Sequence, residues 1–137
     1  MENKKQGFTI IELMVTMAII GMIVALITIS FSGAKAKSRD SRRMEDLKQI
    51  SNALNLYYSV HRNFPTANPV IHLDGADTIS TSLINENFMP AAITDPLDSG
   101  NYIYQYFSSS GLDYVLSFYL ETGSIQGYSV GAHTMQP

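Results

Sequence analysis

The amino-terminal part of the chain carries a long apolar run from Ile10 to Phe31. As an α-helix these 22 residues would span about 33 Å, which matches the hydrocarbon core of a bilayer. No face of the run is polar, as the surface helix of a soluble protein would require. The pattern therefore predicts a membrane-spanning helix over residues 8–33.

A different pattern follows the apolar run. Apolar side chains recur at steps of three and four residues, with charged and polar residues between them, at Met44, Leu47, Ile50, Leu54 and Tyr57. This spacing is typical of an amphipathic helix with one apolar stripe. Because Pro65 disfavours helix at Phe64, we expect this stalk helix to occupy residues 34–63.

Residues 64–137 are rich in Asn, Asp, Ser, Thr, Gly and Pro, which are the residues of turns. A short helix is predicted over residues 79–87. Runs of aromatic and β-branched residues predict strands over 102–107 and 114–120, with a third strand over 125–130. We expect an α+β fold in which the long helix packs on a small antiparallel sheet.

Composition narrows the classes of protein. Charged residues make up 15% and hydrophobic residues 45% of the chain, which argues against intrinsic disorder. The absence of cysteine excludes disulfides, thiolate metal sites and a cysteine nucleophile. All nine Lys and Arg lie at or before Arg62, whereas seven of the twelve acidic residues lie beyond it. This asymmetry predicts that the two ends of the chain face different surroundings.

Five basic residues follow the apolar run closely: Lys35, Lys37, Arg39, Arg42 and Arg43. They suit a solvated collar beside a membrane or contact with an acidic partner. They give little support to nucleic-acid binding, because no aromatic side chains are interleaved with them. They also outnumber Lys4 and Lys5 on the other flank, and the positive-inside rule then predicts a cytoplasmic carboxyl-terminal domain.

One carboxylate, Glu12, lies inside the apolar run. An ionised carboxylate in hydrocarbon is costly unless it is paired, so Glu12 marks a functional position or reaches to the lipid headgroups. A secretory signal peptide would carry small cleavage-site residues after its apolar core. Here the small residue at a suitable junction, Gly7, precedes the core.

The segment G-F-T-I-I-E-L, from Gly7 to Leu13, resembles the amino-terminal signal of type IV prepilins and type II secretion pseudopilins. The resemblance implies that a prepilin peptidase cleaves between Gly7 and Phe8, removes residues 1–7 as a leader peptide and methylates the Phe8 amine. It also implies that Glu12 neutralises the Phe8 amine of a neighbouring subunit during filament assembly. Two costly buried charges would then form one tolerable pair.

The same resemblance implies a domain plan. Residues 8–33 would form the transmembrane and filament-core helix of a pilin-like lollipop, residues 34–63 its stalk, and residues 64–137 its globular head. The implied partners are further copies in a helical filament, the prepilin peptidase, an inner-membrane assembly platform and minor pilins. The resemblance places the head outside the cytoplasm, against the positive-inside count, before assembly into an extracellular or periplasmic filament.

The main functional hypothesis is a structural subunit of a type IV pilus-like filament, which is a substrate of an enzyme and not itself an enzyme. The first alternative is a major-type pseudopilin of a type II secretion system. A hypothesis of a different class is a single-pass anchored binding module that does not polymerise. A third, a small serine hydrolase, depends on a G-x-S-x-G match around Ser129, which we interpret as chance because the nucleophile elbow needs a following helix.

Three acidic residues are candidate calcium ligands: Asp95 and Asp98 in one loop, with Asp113 from a neighbouring strand. By resemblance, major pseudopilins carry calcium in a comparable loop. The spacing is not that of an EF-hand, and Asp-Pro and Ser-Gly pairs are equally typical of a plain turn. No other cofactor is predicted.

Overall fold

The computed structural model describes residues 7–137, apart from the side chains of residues 28–30. Helix α1 (Ile10–His61) has 52 residues. The helix ends at His61, and the next residue, Arg62, has a φ of 61°. Many helices are followed by a residue in this left-handed region. The amide of Arg62 still donates to the carbonyl of Tyr58. The predicted leader, with Lys4 and Lys5, lies outside the described residues except for Gly7.

The chain divides into two compact units between Lys35 and Ala36. In the first unit the large apolar side chains of α1 that the structure describes are exposed, including Ile10 and Leu26. An 18-residue window of this helix has a mean hydropathy of 2.7 and no buried residue. The helix is therefore long and apolar enough to cross a membrane.

The second unit contains a four-stranded antiparallel sheet in the order β1-β2-β3-β4. Its strands are β1 (Ala67–His72), β2 (Gln105–Ser108), β3 (Val115–Leu120) and β4 (Gly131–Met135). Helix α2 (Thr78–Asn85) lies between β1 and β2 in the chain. The predicted α+β fold, with a long apolar helix followed by a small antiparallel sheet, is confirmed.

The core of the second unit joins the apolar stripe of α1 to one face of the sheet. Leu47, Ile50 and Leu54 of the stripe are buried in one cluster with alternate residues of the strands. In β3 the burial alternates strictly, so Leu116 and every second residue after it face the core. The hydroxyl groups of Ser51 and Tyr114, 2.9 Å apart, add a polar contact between α1 and the residue that precedes β3.

The structure corrects two features of the predicted sheet. The strand predicted over 125–130 is wrong, because this segment turns at Gly127, whose φ is 87°, and β4 begins only at Gly131. Strand β1 was not predicted, since Pro69 argues against a strand. Proline is tolerated here because β1 lies at the edge of the sheet, where an N–H is not needed on the outer side.

Candidate functional site: the amino-terminal segment and a buried ion network

Helix α1 begins with a reciprocal set of hydrogen bonds between Thr9 and Glu12. The Thr9 amide and hydroxyl donate to Glu12 Oε2 at 3.0 and 2.8 Å. The Glu12 amide donates in return to Thr9 Oγ1 at 3.3 Å. This is a capping box, which satisfies amide groups that the first turn of a helix leaves without intrahelical partners.

The capping box gives Glu12 a local partner within its own chain. A carboxylate in the first turn also interacts favourably with the helix dipole. Both hydrogen bonds reach the same carboxylate atom, Oε2, so the box does not use Oε1. The pattern Thr-x-x-Glu before an apolar run is a signal for this arrangement that the sequence reasoning missed.

The predicted cleavage junction lies just before the capping box. The side chain of Phe8 is 75% exposed. A Cβ atom added at Gly7 would meet no atom within 4 Å. Within the described part of the chain, packing around a Cβ atom therefore gives no reason for glycine at position 7.

A second cluster of charged residues lies inside the Ala36–Pro137 unit. Arg43, fully buried, donates from Nε to Asp95 Oδ2 at 2.6 Å and from Nη2 to Asp95 Oδ1 at 3.0 Å. Its Nη1 donates to Asp40 Oδ1 at 2.8 Å and to Glu121 Oε1 at 2.7 Å. Arg39 adds a second guanidinium, whose Nε donates to Glu121 Oε1 at 2.7 Å. We call these five residues the Arg43 network.

Asp40 connects the network by hydrogen bonds to the two residues that follow β3. Its carboxylate accepts hydrogen bonds from the amides of Glu121 and Thr122 at 3.0 and 2.7 Å. The Thr122 hydroxyl donates to the same carboxylate at 2.6 Å. Throughout the part of the chain that the structure describes, every buried side-chain nitrogen and oxygen has a hydrogen-bond partner. A buried polar network with no unsatisfied member makes the core rigid and specifies one packing arrangement.

Glu121, Asp40 and Arg43 of this network are ionised at neutral pH. Hydrogen bonds from Arg39, opposed by burial and reinforced by Arg43, lower the pKa of Glu121 to about 2. Burial acts to raise the pKa of Asp40, but hydrogen bonds from Thr122, the Glu121 amide and Arg43 bring it below its usual value. Burial acts to lower the pKa of Arg43, but its bonds to Asp95 and Glu121 raise it further.

One turn further along α1, Asp46 behaves differently from the network carboxylates. Burial raises the pKa of Asp46, and a hydrogen bond from the Tyr104 hydroxyl at 3.0 Å opposes the change. Burial and the neighbouring Asp46 carboxylate raise the pKa of Tyr104. Ionisation of Asp46 therefore destabilises the folded chain, whereas ionisation of Glu121 stabilises it.

The five basic residues that follow the apolar run differ in their surroundings. Arg39 and Arg43 bind carboxylates of their own chain, whereas Lys35, Lys37 and Arg42 are exposed. The signal for this division is the spacing, since Arg43 lies four residues before Leu47 and so continues the apolar stripe. Arginine on a buried stripe requires carboxylates from other elements.

The three predicted calcium ligands have separate surroundings. Both oxygens of the buried Asp95 accept from Arg43, and Oδ1 also accepts from the Leu97 amide at 2.8 Å. Asp98 is exposed, and its Oδ1 lies 3.0 Å from Nε2 of His72. Among residues 7–137, no three His, Asp or Glu are arranged to hold a metal ion. The predicted ligands, with the exposed Asp113, do not fit a calcium ion.

The G-x-S-x-G match also lacks the arrangement of a nucleophile. His133 donates from Nε2 to the backbone carbonyl of Ser129 at 2.8 Å. A nucleophilic serine needs its base at the hydroxyl group instead.

Comparisons with known proteins support the resemblance seen in the amino-terminal segment. Residues 3–28 match the family model of the prokaryotic N-terminal methylation motif. Together with the apolar helix and the small antiparallel sheet, this match confirms the resemblance to the type IV pilin and type II secretion pseudopilin family.

Several relatives share the name type II secretion system core protein G. The protein of Escherichia coli (strain K12) is 33% identical over 66 residues, which cover 48% of this chain and 46% of the relative. That of Aeromonas hydrophila is 29% identical over 65 residues, which cover 47% of this chain and 46% of the relative. That of Vibrio cholerae is 25% identical over 132 residues, which cover 95% of this chain and 82% of the relative.

The chain thus spans about half the length of the first relatives that it matches. No solved structure matches it at a significant level. The names of the relatives favour the type II secretion alternative over our main hypothesis of a type IV pilus-like subunit.

Proposed function

We propose that this chain is a filament subunit of the type II secretion pseudopilin class. The observation that carries the proposal is the methylation motif at the start of an exposed apolar helix. Glu12 is the one charged residue between Ile10 and Ala34. The Vibrio cholerae relative, which aligns along nearly the whole chain, supports the secretion class over the pilus.

Processing occurs between Gly7 and Phe8, and the new Phe8 amine is methylated. The exposure of Phe8 and the open space around Gly7 support this step, because a prepilin peptidase needs access to the junction. A Cβ atom at position 7 would meet no other atom within 4 Å. The glycine is therefore a requirement of the peptidase and not of this fold.

Assembly buries the apolar helix of each subunit against its neighbours. The capping box holds the Glu12 carboxylate at the tip of the helix and leaves Oε1 to accept from the Phe8 amine of the next subunit. Pairing two charges in an apolar interior avoids the cost of leaving either alone. Because a wrong axial step would unpair both, the contact sets the helical register of the filament, a repeated head-to-tail interface.

Before assembly the subunit is stored in the inner membrane with its carboxyl-terminal unit in the periplasm. This orientation presents the Gly7 junction to a peptidase active at the cytoplasmic face. This orientation disagrees with the positive-inside rule, which predicts a cytoplasmic carboxyl-terminal domain. Three of the basic residues that follow the apolar run, Lys35, Lys37 and Arg42, are exposed in the folded chain. An inner-membrane assembly platform and minor pseudopilins are the further partners of this proposal.

Intact mass spectrometry of the protein from its native membrane tests the processing step. We expect a chain that begins at Phe8 and carries one added methyl group. A Gly7→Leu variant should keep residues 1–7, while a Thr16→Leu variant in the same helix should be processed normally. Retention of residues 1–7 in the wild-type protein would contradict the proposal and favour the anchored binding module.

Glu12→Ala and Glu12→Gln variants test the assembly step. Both should be processed, yet neither should form filaments, whereas Thr16→Ala should form them. Deleting the secretion platform should abolish the wild-type filaments. Filaments that persist without that platform would instead identify a type IV pilus subunit.

A further inference from the structure

The Arg43 network brings together parts of the chain that are far apart in sequence. Asp40 and Arg43 belong to α1, Asp95 to the loop before β2, and Glu121 to the end of β3. Arg43 has no exposed side-chain surface, and Asp40 and Asp95 have none either. The contact between these three elements is thus made by ionised groups in a buried site.

All three guanidinium nitrogens of Arg43 donate hydrogen bonds in this site. Nε and Nη2 bind the two oxygens of Asp95, and Nη1 binds both Asp40 and Glu121. The face of the guanidinium lies over the Tyr102 ring, with 4.9 Å between Cζ and the ring centroid. The planar fork of arginine suits such bidentate binding, and it keeps its charge at every physiological pH.

A hard divalent cation would demand the same ligands. Calcium binds six to eight oxygen atoms, with carboxylates as its main protein ligands. In this chain the carboxylates that converge from three elements are already bound to nitrogen. Asp98, the other acid of the loop, is exposed and contacts His72.

We propose that Arg43 is the internal cation of the Ala36–Pro137 unit and that this unit folds without calcium or any other divalent ion. The guanidinium binds the Asp95 loop and Glu121, at the end of β3, to α1. A metal ion bound by the same carboxylates would connect these segments in the same way. The inference concerns the folded chain and does not depend on the proposed function. The charged and titratable groups that face the site from all three elements are Arg39, Asp40, Asp46, Asp95, Tyr102, Tyr104 and Glu121.

Thermal unfolding of the full chain in detergent micelles tests the divalent-ion part. All eight tyrosines lie at or beyond Tyr57, and the chain has no tryptophan, so near-ultraviolet circular dichroism reports the second unit. We expect the midpoint to agree within about 1 °C in excess EDTA and in millimolar calcium chloride. A rise of more than about 5 °C with calcium would overturn the proposal, because a ligand bound only to the folded state stabilises it.

A double-mutant cycle tests the charge of Arg43 separately from its packing. Asp95→Asn keeps the shape of the side chain and removes its charge. In the wild-type background we expect this change to lower the midpoint by several degrees, because it breaks a buried ion pair. In an Arg43→Met background it should raise the midpoint, because it removes a buried charge that has lost its partner.

Asp98→Asn is the matched control, since Asp98 lies in the same loop and is exposed. It should change the midpoint little in either background. If Asp95→Asn lowers the midpoint equally in both backgrounds, Arg43 acts through packing and the proposal is wrong. If the Arg43→Met chain does not fold, the wild-type comparison between EDTA and calcium still decides.

Discussion

The two units of this chain use one helix in opposite ways. In the first unit the large apolar side chains of α1 that the structure describes are exposed, and Glu12, the one charged residue between Ile10 and Ala34, has a partner only one turn away. In the second unit the apolar stripe of α1 is buried, and Arg43 has partners that lie 52 and 78 residues further along the chain. The second unit is complete in one molecule, whereas the first leaves its apolar surface to be covered by lipid or by other subunits.

This contrast separates two roles of charged residues in apolar surroundings. A charge with three partners from its own chain fixes how that chain folds. A charge with one local partner and a free carboxylate oxygen is available to another molecule. Substitutions in the second unit should therefore change folding stability, and those in the first should change assembly.

The largest expected effect on stability comes from Arg43. Arg43→Met removes both guanidinium bonds to Asp95 and one bond each to Asp40 and Glu121, and it should lower the free energy of unfolding by about 3 to 5 kcal/mol. Denaturant unfolding of the full chain, followed by tyrosine circular dichroism, measures the change. Arg42→Met alters an exposed neighbour and should cost less than about 0.5 kcal/mol. Equal losses in the two variants would remove the contrast between buried and exposed cations.

The apolar residues of α1 extend the comparison. Leu54 is fully buried, so Leu54→Ala should lower the free energy of unfolding by about 2 to 4 kcal/mol through lost burial and a cavity. Leu26 is 62% exposed, and Leu26→Ala should leave this free energy unchanged within about 0.5 kcal/mol. The same denaturant titration gives both values, while sheared filaments report assembly. A Leu26→Ala chain that unfolds as readily as Leu54→Ala would show that the first unit is also packed within the monomer.

Acid should weaken the second unit. The pKa of Glu121 is about 2 in the folded chain and about 4.3 in an unfolded one, so the folded state binds fewer protons between these values. The stability that Glu121 contributes is complete above about pH 4.5 and is lost as the pH falls towards 2, on the order of 1 to 2 kcal/mol. Asp40 acts in the same direction, and Asp46, with its raised pKa, acts against both.

Unfolding free energies measured from neutral pH down to about pH 3 test this expectation. Glu121→Gln should flatten the decline. An unchanged slope in Glu121→Gln would show that other carboxylates cause the acid sensitivity.

The smallest expected effect concerns the capping box. Thr9→Ala removes the hydroxyl that bonds Glu12 and should destabilise the first turn of α1 by about 1 kcal/mol, whereas Thr9→Ser should retain most of it. Hydrogen exchange in micelles should then be about fivefold faster at the Glu12 amide of the alanine variant. Identical exchange in wild type, Thr9→Ser and Thr9→Ala would mean that the cap has no energetic role.

Local patterns in the chain were sufficient for the long helix and for the methylation motif. Helical periodicity depends on residues three and four apart, so the stripe from Met44 to Tyr57 and the stop near Pro65 are visible without a fold. The apolar run needs only its length to predict a helix that can cross a membrane. The Thr-x-x-Glu box was equally local and could have been recognised.

The tertiary structure decided the contacts that join distant segments. Nothing near Arg43 in the chain indicates that its partners would be Asp95 and Glu121, which α1 meets only after the loop and β3 have folded against it. The position of β1 could not be predicted locally either, because Pro69 is tolerated in a strand at a sheet edge or a bulge, and both depend on how β1 pairs with β2. Periodicity records the neighbours of a residue along the chain, whereas ion pairs and strand order depend on which distant segments pack together.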